Sequence, residues 1–123
     1  MFLAVYYAQY AHARLCSVLE SASDIQIDES ASNLKEASES ELLKKLVEFP
    51  HIIEVAANKR APHILATYIQ ELAAEIHSFY TNCRLIDRDN LDVTASRLAL
   101  AKAAKIVMKN ALCVLGVNAP VKM

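Results

Sequence analysis

From residue 62 to residue 83, apolar side chains recur every three or four positions, as Leu65, Tyr68, Ile69, Leu72, Ile76, Phe79 and Cys83. Only a helix, here of about six turns, lines that spacing up on one face. A stripe of this length is unstable in water by itself, so the rest of the chain must supply helices that cover it. Pro62 suits its first turn, where a missing N–H costs nothing. The remainder is compatible: one glycine and three prolines in 123 residues, many Ala, Leu, Glu and Lys, and no dense run of β-branched and aromatic residues bounded by turns. The expectation is an all-α bundle of about five helices over residues 1–123, because a chain of this length buries a single core.

The other helices follow from the same period. From Phe2 to Ser21 the core stripe is Ala8, Ala11, Leu15, Val18 and Leu19, and Tyr6, Tyr7, Tyr10, Arg14 and Ser17 fall on the other side. Residues 22–38 are rich in Ser, Asp, Glu and Asn and predict a polar, mobile loop. Ser40 stands as the N-cap of a helix carrying Leu42, Leu43 and Leu46 that ends before Pro50. Pro50 then opens a short helix with Ile52, Ile53, Val55 and Ala56. After a charged turn at Asp87–Asp92, a last helix runs to Leu115, and Gly116 takes the left-handed position behind it. The predicted buried face of that helix is Leu100, Ala103, Val107, Ala111 and Val114, with Lys102, Lys105 and Lys109 on a separate stripe. The tail from Val117 to Met123 contains Pro120 and cannot continue the helix.

The formal net charge is −1, but it is unevenly spread. Residues 20–54 hold nine acids against three bases, and residues 55–123 hold nine bases against five acids. Such a division allows one basic surface despite the acidic total. Cys16, Cys83 and Cys113 are odd in number and lack C-x-x-C spacing, which fits a reducing cytoplasm rather than a disulfide framework or zinc site. The apolar start, Met1 to Val5, has no basic flank and runs into polar residues, so neither a signal peptide nor a membrane span is expected. Catalytic residues are not assigned: no nucleophile with an adjacent base, no paired carboxylates and no glycine-rich phosphate loop can be assembled. His12 and Cys16 lie four apart but lack further ligands and read as core, while His51 and His63 each follow a proline at a helix start.

Four segments in order, YYAQYAHARLC (Tyr6–Cys16), LLKKLVEFPHIIEVAA (Leu42–Ala57), APHILATYIQELAAEIHSFYTNCRLI (Ala61–Ile86) and RLALAKAAKIVMKNALCVLGVNAPVKM (Arg97–Met123), resemble the C-terminal anticodon-binding domain of arginyl-tRNA synthetases, of the DALR type. The resemblance implies a helical module that docks on the anticodon stem and loop of arginine tRNA, joined in the class I enzyme to a Rossmann-type catalytic domain that uses ATP. The Asp-Ala-Leu-Arg stretch that precedes the tyrosine-rich helix in that family does not stand here, and Met1–Ala4 occupies the place where Asn-Pro is common. The chain therefore reads as a fragment of an arginine–tRNA ligase, inactive alone and without a cofactor of its own, with the catalytic domain as a second partner. The surface uncovered by the missing upstream helix suggests self-association.

The resemblance implies that Tyr7 and Tyr10 meet unpaired loop bases, with Gln9 and Arg14 as polar support. It also implies that His77, Tyr80, Asn82, Arg84 and the terminal Met123 lie near the anticodon loop. That set has the right chemistry, because splayed bases stack on aromatic rings and guanidinium planes while amides read their edges. Lys102, Lys105 and Lys109 are candidates for phosphate contact, against the commoner reading of a solvated face. The alternative function is a structural or protein-interaction helical domain that no longer binds RNA, which the net acidity favours.

Overall fold

A computed structural model describes residues 2–123, with side-chain surroundings from residue 5 onward. Its described residues form five helices and no strand: α1 (Phe2–Ser21), α2 (Ala37–Val47), α3 (Phe49–Asn58), α4 (Pro62–Asn82) and α5 (Leu91–Leu115). The element that organises them is α4, which packs against each of the other four. All seven apolar positions of its stripe are buried, and side chains the size of Leu72, Ile76 and Phe79 each contribute about 2 kcal/mol on burial. Tyr68 keeps its ring in this core by donating its hydroxyl to the Lys45 carbonyl at the end of α2. Pro50 and Pro62 sit in the first turns of α3 and α4.

On α1, the residues facing α4 and α5 are Ala8, Ala11, Leu15 and Val18, all buried. On α5 the buried face comprises Leu98, Ala101, Ala104, Met108, Ala111 and Leu112. That face is rotated from the expected one: Leu100 and Ala111 are buried as anticipated, but Ala103 and Val114 are exposed. The physical reason is that α5 has apolar residues on almost every side, so hydrophobicity does not select its phase. Packing against α1, α4 and α2 does, and it buries Ala101 and Ala104.

The second correction concerns α2, which starts at Ala37 rather than beside Ser40. Its N-cap is Glu36, and Glu39 supplies the cap chemistry. One Glu39 oxygen accepts from the backbone N–H of Glu36 at 2.7 Å and of Lys35 at 2.9 Å. The other accepts from Arg97 Nε of α5 at 2.7 Å, and Arg97 Nη1 donates to the Arg84 carbonyl at 2.9 Å. Glu39 is 1% exposed. Burial pushes its carboxyl up, but the Glu36 N–H, Arg97 and the Lys35 N–H together hold it below the usual carboxylate range. A single arginine thus ties α2, α5 and the α4–α5 turn. Between α1 and α2 the polar stretch is irregular, as read from its composition, yet tethered. The Asp28 N–H donates to the Ala95 carbonyl at 3.2 Å, its carboxylate accepts from Ser30 and Ser96, and Ile25, Ile27 and Leu34 pack on the core.

Two helix ends share one device. Gly116 behind α5 has φ 84°, and the N–H of Val117 reaches back to the Leu112 carbonyl at 2.9 Å. Arg60 behind α3 has φ 50°, with the N–H of Ala61 on the Ala56 carbonyl at 2.9 Å. Both are left-handed C′ closures, one on glycine and one on a residue that pays for its Cβ.

Two predictions follow from these contacts. Arg97→Met should cost about 3 kcal/mol at neutral pH, because it strands a buried carboxylate. A carboxyl held low in the folded state stabilises above its unfolded pKa, and that contribution fades as pH falls through the folded value. The difference between Arg97→Met and the unaltered chain in urea unfolding should therefore shrink between pH 7 and acid conditions below the usual carboxylate range. In the second, Arg60→Gly should stabilise and Gly116→Ala destabilise, each by about 1 kcal/mol, read as opposite shifts of the thermal midpoint.

Candidate nucleic-acid interface

The phase of α1 sets this surface. With Ala8, Ala11 and Leu15 inward, Tyr7, Tyr10 and Arg14 project along the edge where α1 lies beside α4. There they meet the last turns of α4. Tyr7 stacks on His77 with ring centroids 4.5 Å apart, and Tyr10 stacks on the same imidazole at 5.8 Å. Both tyrosines remain accessible, at 41% and 39% exposure. Tyr6, next to them, is 58% exposed.

Arg14 completes the row. Its guanidinium carbon lies 3.7 Å from the centroid of the Tyr80 ring and 5.4 Å from that of Tyr10, which is cation–π geometry on both sides. One of its terminal nitrogens donates to His77 Nδ1 at 3.3 Å. A guanidinium cannot accept, so Nδ1 carries the lone pair and the proton sits on Nε2. That second nitrogen is buried without a hydrogen-bond partner. Burial, then the neighbouring Arg14 charge, lowers the His77 pKa below its ordinary value; the Tyr7 carbonyl opposes the shift without reaching hydrogen-bond geometry. His77 is therefore a neutral platform beneath the tyrosines rather than a cation. Among the described residues no carboxylate pairs with Arg14.

The third component is the tail. The Gly116 closure turns the chain back, and residues 117–120 run along α1, with Val117 and Ala119 packed on the core. Gln9 Nε2 donates to the Asn118 carbonyl at 2.8 Å, and His12 Nδ1 lies 3.0 Å from the Pro120 carbonyl. The last residues close an open recess of about 490 Å³ lined by Tyr10, Ala13, Arg14, Ser17, Tyr80, Lys122 and Met123. This volume lies in the range of small-ligand sites. It offers ring faces, a guanidinium, an ammonium and a thioether, and no Asp or Glu side chain lines it.

The structure thus brings together Tyr7, Tyr10, Arg14, His77, Tyr80 and Met123 from three separated parts of the sequence. It places Gln9 on the tail rather than in the recess. Asn82 is exposed at the end of α4 and donates to Ser78 Oγ at 3.1 Å, outside the recess lining. Arg84 lines a neighbouring hollow of about 270 Å³ that shares Tyr80 with the first. Of the three lysines on α5, Lys102 contacts Glu29 at 3.4 Å. Lys105 and Lys109 act on His12 and Cys16, helping to keep the imidazole pKa low, after burial as the main cause. None of the three lines the recess. Its ammonium is that of Lys122, which sequence reasoning passed over. The available signal was Gly116, whose left-handed turn sends the following segment back toward α1.

Residues 8–123 match the family model described as DALR anticodon binding domain. Arginine–tRNA ligase of Listeria monocytogenes serotype 4b (strain CLIP80459) is 46% identical over 97% of the chain, and that of Shouchella clausii (strain KSM-K16) is 48% identical over 97%. The chain spans 22% of the length of each of these relatives. Among solved structures, Thermus thermophilus arginyl-tRNA synthetase superposes with a TM-score of 0.82 at 30% identity, over 95% of this chain and 21% of that one. No described helix is long and apolar enough to cross a membrane. With the family model matched across nearly all its residues, and relatives of one kind along the same span, the chain belongs to the DALR anticodon-binding domain family of arginyl-tRNA synthetases.

Proposed function

We propose that this chain recognises the anticodon stem and loop of arginine tRNA, so that a catalytic domain elsewhere in a longer protein can arginylate the distant acceptor end with ATP. The observation that carries the reading is the placement of Arg14. Its guanidinium lies over the Tyr80 ring and near that of Tyr10, has no carboxylate partner among the described residues, and lines an open recess. A cation set among ring faces and free of a carboxylate suits a partner that combines negative charge with flat rings, which describes an unpaired loop of RNA. The exposed Tyr7 and Tyr10 extend the platform on one side. Tyr80 leads on the other side to Arg84, which suits backbone phosphates on its exposed flank. Lys122 adds a second charge at the recess, and the Met123 thioether is an adaptable apolar wall for a base.

The lysines of α5 have a smaller part in this reading. Lys102 is engaged by Glu29 and none of the three lines the recess, so phosphate contact through them is secondary to Arg14, Arg84 and Lys122. Asn82 reads a base edge only if the loop extends beyond the recess.

The test is titration of the chain with an RNA hairpin carrying the arginine anticodon stem and loop, beside a hairpin with an unrelated anticodon. The arginine hairpin should bind more tightly, and its affinity should fall as salt rises. Tyr10→Ala should weaken binding by about 1 to 3 kcal/mol through loss of stacking. Arg14→Lys should weaken it as well although charge is conserved, since an ammonium has no plane to stack. Equal affinity for the two hairpins, or a self-associated chain indifferent to either, would overturn the proposal.

A further inference from the structure

The recess depends on a wall that is not part of any helix. Lys122 and Met123 reach it only if the segment behind Gly116 stays along α1, and two α1 side chains hold that segment by its backbone. They are one turn apart: Gln9 on the Asn118 carbonyl and His12 on the Pro120 carbonyl. We propose that Gln9 and His12 are positioning residues, a latch that keeps the tail in place so that Met123 can line the RNA-binding recess. The inference rests on the RNA-binding reading for its consequence but on these contacts for its geometry.

The chemistry of His12 supports a dedicated holding role. Its side chain is 1% exposed, on a stretch of α1 otherwise lined by alanines, Leu15 and Val18. A histidine buried there without a partner would cost more than an apolar residue of similar size. The Pro120 carbonyl supplies the partner, and since a carbonyl only accepts, the proton is on Nδ1. Cys16 Sγ lies 3.8 Å from both ring nitrogens, a packing contact that singles out neither. The Pro120 carbonyl is therefore the directional partner of the ring. Pro120 has no N–H of its own and a restricted φ, which limits the ways its carbonyl can turn away. Gln9 repeats the grip two residues earlier in the tail, from a more exposed position. Neither side chain lines the recess, so both act through the residues that do.

The test uses the full chain carrying a carbon-13 methyl label on methionine, with the Met123 methyl resonance as the reporter and the arginine anticodon hairpin as the ligand. Gln9→Ala should move the Met123 signal toward its value in an unstructured peptide and weaken hairpin binding by roughly 3-fold to 10-fold, the scale of one hydrogen bond. In a Met123→Ala background the same substitution should change affinity by less than about 2-fold, because the two positions act as one unit. His12→Leu should behave like Gln9→Ala, and His12→Asn, whose amide can place an N–H near Nδ1, should restore most of the loss. If His12→Leu does not fold, the Gln9 arm decides alone. An unmoved Met123 signal in Gln9→Ala overturns the latch. So does an affinity loss that persists undiminished in Met123→Ala, which would place Gln9 in direct contact with RNA. Failure of the unaltered chain to bind the hairpin overturns the recognition reading instead, and leaves the methyl signal to decide the latch.

Discussion

Everything at the proposed interface depends on how α1 is rotated about its own axis. Four small or branched residues, Ala8, Ala11, Leu15 and Val18, turn one side of that helix into the crevice between α4 and α5. A shift of one residue would rotate the helix by about 100° and put tyrosines into the core and alanines on the edge. The alanines matter because they allow close approach, and close approach brings the outward rings of α1 within stacking distance of His77 and the Arg14 guanidinium over Tyr80 on α4. Core packing and site geometry are therefore two results of one constraint.

Two arginines show how environment divides the labour. Arg97 is held by a buried carboxylate and a backbone carbonyl, so its donors are spent on joining helices. Arg14 is held mainly by ring faces and one neutral imidazole nitrogen, which leaves its charge uncompensated. In the first case the positive charge is consumed by folding. In the second it is positioned by folding and remains available. The net charge of −1 therefore says little about the potential at the recess, which is set by unpaired cations rather than by the total.

Much of the fold was legible because the signals were local. The stripe from Leu65 to Cys83 identified α4 and its buried face, Pro50 and Pro62 marked helix starts, and Gly116 marked a helix end. The phase of α5 was not legible, since Ala and Val surround it and only tertiary packing distinguishes buried Ala101 from exposed Ala103. The start of α2 was missed because its cap is a glutamate pair whose value depends on Arg97, 58 residues away. At the site, Tyr7, Tyr10 and Arg14 were visible as a stripe, but the role of His12 was not. Its partner is a carbonyl of the tail, and no side-chain pattern announces a backbone acceptor. Asn82, placed near the anticodon loop by the resemblance, lies outside the recess lining because α4 ends in a direction that composition does not encode.

The distribution of tyrosines has an optical consequence. The chain has five tyrosines and no tryptophan. Tyr68 is enclosed in the core with its hydroxyl donated to a carbonyl, whereas Tyr6, Tyr7, Tyr10 and Tyr80 cluster at the α1–α4 edge or next to it. Ultraviolet emission from the folded protein therefore originates largely at the surface where a nucleobase would settle. The fold has gathered its fluorophores there, so the binding proposed for this surface would register as quenching without any added dye.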